Sequence, residues 1–229
     1  MVTVLRSPQR PLPDPGTRYD WQWEPGHRVV RVYHRHPDRP PLEPRTYGPF
    51  NRFDPHIPTP SGEACEQPDG RGVNYFADDL ACALAEAFPD QPDEVQMCPN
   101  VYSVVVEPTS PERLLDLTGD GAMFIGAVAT LASGAEPRAL TQEWARAIYE
   151  DLPGFSGIRY RAAHQGGEAI AIWDRAGALL PHGPAGGDQL IGLAMLPWVL
   201  DALERQRRNL HIVTASDCER CIKAGFGDS

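Results

Sequence analysis

The sequence predicts an α+β fold, because short strand-like and helix-like segments follow one another without regular βαβ alternation and without an internal repeat. Three observations carry this. Alternating, β-branched runs at 28–34 and 101–106 read as strands. Apolar residues at three- and four-residue spacing mark helices elsewhere. The 24 prolines and 21 glycines among 229 residues concentrate in the first 70 positions and near 177–188, where regular structure is expected to be sparse.

In chain order, residues 1–27 form a proline-rich lead-in with Trp21 and Trp23 as docking points. Arg28 to His34 reads as a strand, and 37–71 is mostly loop, carrying Arg52. Val73 to Phe76 is a short strand, after which Asp78 or Asp79 can cap a helix reaching about Phe88. Val101 to Val106 is a strong strand, and Leu114 to Leu117 a weaker one that ends at Thr118-Gly-Asp-Gly. Helix follows from about Phe124 to Leu131 and from Thr141 to Glu150, with Leu140, Trp144, Ile148 and Leu152 on one face. Gly157 to Tyr160 and Glu168 to Trp173 supply further strands. Leu190 to Arg208 reads as an amphipathic helix with a stripe of Leu193, Leu196, Leu200 and Leu203. The expected organisation is an arm over 1–27, a principal domain over 28–176 and a C-terminal loop-and-helix extension over 177–229.

Charge narrows the possible partners. With 21 basic against 31 acidic side chains the formal net charge is −10, which argues against direct binding of nucleic acid or anionic membranes. Between residues 28 and 52 the sign reverses: arginines stand at 28, 31, 35, 39, 45 and 52, against only Asp38 and Glu43. An anionic small molecule is the expected partner, although any one of these arginines also reads as an ordinary surface cation. No stretch approaches the roughly 18–20 apolar residues of a membrane span, and residues 1–15 lack the apolar segment of a secretory signal, so a cytoplasmic location is expected. Five cysteines, at 65, 82, 98, 218 and 221, fit reduced thiols better than a disulfide framework. Cys218-Glu-Arg-Cys221 is the one metal-like pair. A structural zinc site normally needs four ligands, and only His211 is near in sequence, so no metal is expected.

Four segments hold the candidate site: Gly48-Pro-Phe-Asn-Arg-Phe-Asp-Pro, Gly72-Val-Asn-Tyr-Phe-Ala, Ala81-Cys-Ala-Leu-Ala-Glu and Gly157-Ile-Arg-Tyr-Arg-Ala-Ala-His. Arg52 can fork onto phosphate oxygens, Tyr75 can stack on a flat base or pack as a strand aromatic, and Glu86 can face a sugar cation. Projected at about 100° per residue, Glu86 points away from Leu80, Leu84 and Phe88, so the helix alone reads it as a solvated glutamate.

These segments, in this order, resemble the RES-domain family, the toxins of RES–Xre toxin–antitoxin pairs. The resemblance runs from about Arg28 to Arg175 and includes Ala169-Ile-Ala-Ile-Trp-Asp-Arg-Ala-Gly. It implies an ADP-ribosyltransferase-like mixed β core with flanking helices, and NAD as substrate. By resemblance Glu86 is the main catalytic residue, Tyr75 assists at the nicotinamide, and Arg31, Arg52, Tyr75 and position 162 contact the dinucleotide. The implied activity is cleavage of the nicotinamide–ribose bond, as an NAD glycohydrolase or phosphorylase that arrests growth. A protein ADP-ribosyltransferase and a catalytically silent NAD-binding module are the alternatives, the latter because Ala162 stands where the family's namesake serine is usual. The partners implied are NAD and an Xre-like antitoxin, and a homo-oligomer is allowed for.

Overall fold

In the computed structural model, which describes residues 4–134, 136–164, 166–184 and 186–226, a mixed nine-stranded sheet organises the chain. The elements are β1 (Asp20–Trp23), β2 (Val29–His34), β3 (Tyr47–Gly48), β4 (Cys65–Glu66), β5 (Val73–Ala77), α1 (Leu80–Ala87), β6 (Glu94–Met97), β7 (Val101–Pro108), β8 (Glu112–Asp116), α2 (Gly121–Phe124), a 3-10 turn (Ala129–Ser133), α3 (Arg138–Asp151), β9 (Gly157–Arg161), β10 (Glu168–Trp173), β11 (Leu179–His182), β12 (Asp188–Gln189), α4 (Leu196–Arg205), β13 (Asn209–Ile212) and α5 (Glu219–Lys223). The main sheet runs β1-β8-β9-β10-β5-β2-β7-β11, with β12 continuing beside β7. All its neighbours are antiparallel except β8 and β9. The predicted α+β class is the observed one. Among the described residues no helix is long and apolar enough to cross a membrane.

Alternation along the central strands buries both faces of the sheet. In β10, Ala169, Ala171 and Trp173 enter the large core with α3, while Ile170 and Ile172 point to the opposite cluster. The second face is closed by curling of the sheet. Trp23 on β1 and Phe76 on β5 are four strand positions apart, about 19 Å on a flat sheet at roughly 4.8 Å per strand, yet their ring centroids are 6.2 Å apart.

Between β2 and β5 the sheet parts. The two strands share a single ladder pair, Val30 with Ala77, and β2 then stays with β7 while β5 stays with β10. The place beside Val73 is taken by Arg45, whose N–H and C=O both bond to it. Directly after β5, the Asp79 side chain accepts from the Cys82 N–H at 2.7 Å and starts α1. This helix is covered on two sides: Cys82 and Ala83 face the large core, and Ala81, Leu84 and Phe88 face a third cluster with α4, β6 and α5.

Three expectations change. The lead-in is part of the body: Leu5 and Leu12 are buried in the large core, and β1 pairs with β8. The helix foreseen over 190–208 begins only at Leu196, because Pro197 fits the first turn and no later one. Its buried side is Val199, Ala202 and Leu203, whereas Leu193 and Leu200 are exposed. The segment after 176 also supplies β11 and β12 along β7.

Trp144 on α3 ties the lead-in down, being fully buried and donating from Nε1 to the Arg6 carbonyl at 2.8 Å. Trp144→Ala is expected to cost about 3–5 kcal/mol. Trp144→Phe keeps most of the packing, and loss of the hydrogen bond adds only about 1 kcal/mol. Urea unfolding midpoints measure both, and equal losses would show that packing of the indole is not what holds the lead-in.

Candidate functional site

The parting of β2 from β5 opens into a cavity of about 560 Å³, within the size range of small-ligand sites. β2 contributes Arg31 to its wall, β5 contributes Tyr75, α1 contributes Glu86, and the loop after β9 contributes Ala163 and His164. Arg45, Arg52 and Tyr160 complete the inner surface. A second cavity of about 570 Å³ adjoins it, sharing Arg31, Tyr33, His34, Arg45 and Arg220.

Asp54 organises this wall from behind. Its carboxylate is fully buried and accepts from Arg45 Nη2 at 2.8 and 2.7 Å, from the Phe50 and Asn51 N–H groups at 2.6 and 3.0 Å, and from the Tyr75 hydroxyl at 2.7 Å. Burial would raise its pKa, but polar contact with His56 and the charge and hydrogen bonds of Arg45 outweigh that and hold it well below the usual carboxylate range. His56 contributes at longer reach, with Nδ1 3.5 Å from Oδ2. Tyr75 is thereby fixed by its hydroxyl. Burial, and then the Asp54 charge, push its pKa up, so the phenol stays protonated and offers the cavity a ring instead of a base.

The arginines differ in their partners. Arg45 has a carboxylate. Arg31 has a neutral amide and an aromatic ring, since its Nη1 donates to Asn74 Oδ1 and its guanidinium lies 6.0 Å from the centre of the Tyr33 ring, and burial together with the like charge of Arg45 draws its pKa down to about 10. Arg52 lies over the rings of Phe53 and Tyr160, 5.2 and 5.1 Å from their centroids, and donates to the Arg161 carbonyl at 3.3 Å. Its Nη1 is buried with no partner among the described residues. Among the described residues Arg31 and Arg52 thus reach the cavity without an ion-pair partner, as do Arg138 and Arg220 on its wall, an arrangement suited to an anion.

Glu86 is half-buried, not solvated. Its Oε1 accepts from the Ala163 and His164 N–H groups at 2.8 and 3.2 Å, which ties α1 to the loop after β9 and leaves Oε2 without a partner among the described residues. Position 162 departs from expectation. Ala162 is buried in the large core and is absent from the cavity wall, to which Ala163 and His164 directly after it contribute. Sequence reasoning also passed over Arg45, Asp54 and Tyr160. The last two lie inside quoted segments, but Arg45 carries no local mark among its basic neighbours.

The folded-state pKa of Asp54 lies below the ordinary 3.8, so its contribution to stability is fully present above that value and is lost as pH falls below it. Asp54→Asn is expected to cost about 3 kcal/mol at neutral pH and to flatten the acid limb of the stability curve. Unfolding midpoints compared at neutral and acid pH test this, and an Asn variant that keeps the full wild-type acid loss would exclude Asp54 as the anchor.

The RES domain matches this sequence over residues 27–189. No curated protein matches it. Among solved structures, the crystal structure of the M.tuberculosis MbcT-MbcA toxin-antitoxin complex is similar at 15% identity and a TM-score of 0.47, with 72% of this chain and 84% of that chain covered. With the domain spanning well over half of its length, and with the four quoted segments inside that span, the chain belongs to the RES-domain family.

Proposed function

We propose that this protein consumes NAD, breaking the bond between nicotinamide and its ribose and passing ADP-ribose to water or phosphate, and that it acts as a growth-arresting toxin restrained by an Xre-like antitoxin. One observation carries the chemical part: Glu86 faces the same cavity as Arg31 and Arg52, whose hydrogen bonds go to an amide oxygen and a backbone carbonyl and not to a carboxylate. Membership of the RES family supports the toxin and antitoxin part.

In this reading Arg31 and Arg52 hold the pyrophosphate, and the adjoining cavities accommodate the two halves of the dinucleotide. The ring of Tyr75 forms a flat wall for the nicotinamide. When the glycosidic bond breaks, its electron pair leaves with the nicotinamide, which becomes neutral, and the sugar carbon becomes cation-like. A carboxylate held beside that carbon is worth more in the transition state than in the ground state. Glu86 suits this, because two N–H bonds fix Oε1 and Oε2 remains for the ribose. The oxygen of water or phosphate then bonds to the sugar carbon and releases its proton to solvent. Ala162 has no part in this scheme, since a small hydroxyl there would point into the core.

Incubating the pure protein with NAD, with and without phosphate, and identifying the products tests the reaction. Free nicotinamide with ADP-ribose or its 1-phosphate is expected, whereas label appearing on a protein would redirect the reading to a transferase. Glu86→Gln is expected to keep the fold and NAD binding and to lose most nicotinamide release, on the order of a hundredfold or more in kcat. Arg52→Ala is expected instead to raise the NAD concentration required, because pyrophosphate is held alike in ground and transition states. Wild-type turnover in Glu86→Gln would remove that residue from the mechanism.

A further inference from the structure

We propose that His34, Cys98, Cys218 and Cys221 form a structural zinc site that fastens the C-terminal segment to the wall of the cleft. Sequence distance hides the set. His34 is the last residue of β2, Cys98 directly follows β6, Cys218 caps α5 and Cys221 lies within it. His211, the histidine nearest to the cysteine pair in sequence, instead faces Glu94 at 3.0 Å.

The four ligand atoms lie within 4.8 Å of one another. His34 Nε2 is 3.2 Å from Cys221 Sγ, 3.4 Å from Cys98 Sγ and 3.8 Å from Cys218 Sγ, and Cys98 Sγ is 3.3 Å from Cys221 Sγ. A tetrahedral zinc with Zn–S near 2.3 Å and Zn–N near 2.0 Å separates its ligand atoms by roughly 3.5–3.8 Å, so the observed cluster has the size of such a shell. Three thiols and one imidazole are also a donor set that favours zinc over hard cations.

The surroundings fit ligation better than ordinary packing. His34 Nδ1 is 3.0 Å from the Arg35 carbonyl, which can only accept, so the ring proton sits on Nδ1 and the Nε2 lone pair faces the sulfurs. Orientation of a ligating imidazole by a backbone carbonyl is the usual outer support of a zinc site. Asn100 Nδ2 donates to Cys221 Sγ at 3.3 Å. A lone imidazole nitrogen needs only one S–H, and three sulfurs converge on this one. All four positions of a tetrahedron are filled by protein atoms, so the role is structural and not one of activating substrate.

The consequence reaches the cleft. Between the ligands Cys218 and Cys221 the chain carries Arg220, which lines both cavities, and His34 itself is on the cavity wall. The metal would therefore hold α5 and Arg220 in register with β2.

The wild-type chain, isolated under reducing conditions from zinc-supplemented cells, is expected to carry about one zinc per chain by elemental analysis. Exchange into cobalt should give the visible bands of a tetrahedral ion together with sulfur-to-cobalt charge transfer. Chelation should lower the melting temperature by several degrees, and added zinc should restore it. Cys218→Ser is expected to lose most of the bound zinc, while Cys65→Ser, outside the cluster, keeps it. Because the cobalt spectrum and the chelation series use the wild-type protein, a variant that fails to fold does not blunt the test. A metal-free wild type whose melting temperature ignores zinc, or a Cys98–Cys221 disulfide in its place, would overturn the proposal.

Discussion

The buried Asp54 carboxylate is the contact on which the cleft depends. A carboxylate out of water is tolerable only when its lone pairs are met, and the groups that meet these are the ones that shape the cavity. The Phe50 and Asn51 amides close the turn that presents Arg52. Arg45 is drawn across to bridge Val73, filling the edge that β2 vacates. The Tyr75 hydroxyl is held so that its ring lines the opening. A sheet that parts after one ladder pair would expose unpaired backbone on both sides of the gap. Here the Arg45 bridge covers the β5 side, while β2 is held by β7 along its other edge, so the gap persists as a cavity.

Much of this was legible in the sequence, and the failures have physical causes. Val29 to His34 and Val101 to Val106 announce themselves because their β-branched residues favour the extended, pleated backbone. The start of α1 was readable from the Asp79 cap. By contrast β6, β11, β12 and β13 are at most four residues long and contain Glu, Gln, Asp, Pro or His, so they exist through their partners and not through propensity. The Leu193-to-Leu203 stripe misled because leucine spacing says nothing of where a helix starts, and Pro197 decided that.

In the site, Arg52, Tyr75 and Glu86, from three separate segments of the sequence, line one cavity. Helical projection alone failed for Glu86, since it assumes one buried face and one wet face. Both other sides of α1 are packed, and the remaining direction leads to the cavity instead of to bulk water. Ala162, just beyond the end of β9, lies in the core, and its neighbours Ala163 and His164 line the cavity. Arg45 with Asp54, and His34 with Cys221, were beyond reach because each pairing is made by the fold and not by spacing.

The arginines of the cavity wall differ in the partners each already has. The chain is acidic overall, so a basic cleft requires that nearby acids be spent selectively. Asp54 is committed to Arg45, whereas Arg31 is left with Asn74 and Arg52 with two aromatic faces and one carbonyl. The proximity of Arg45 makes the charge on Arg31 less favourable than usual, and an arriving pyrophosphate would relieve that repulsion as well as supply hydrogen bonds. Neutral partners that orient a guanidinium without discharging it keep its geometry ready and its charge available. The same division separates Arg45, held by Asp54, from Arg31 and Arg52, which have no carboxylate partner among the described residues, a distinction that counting basic residues between 28 and 52 does not make.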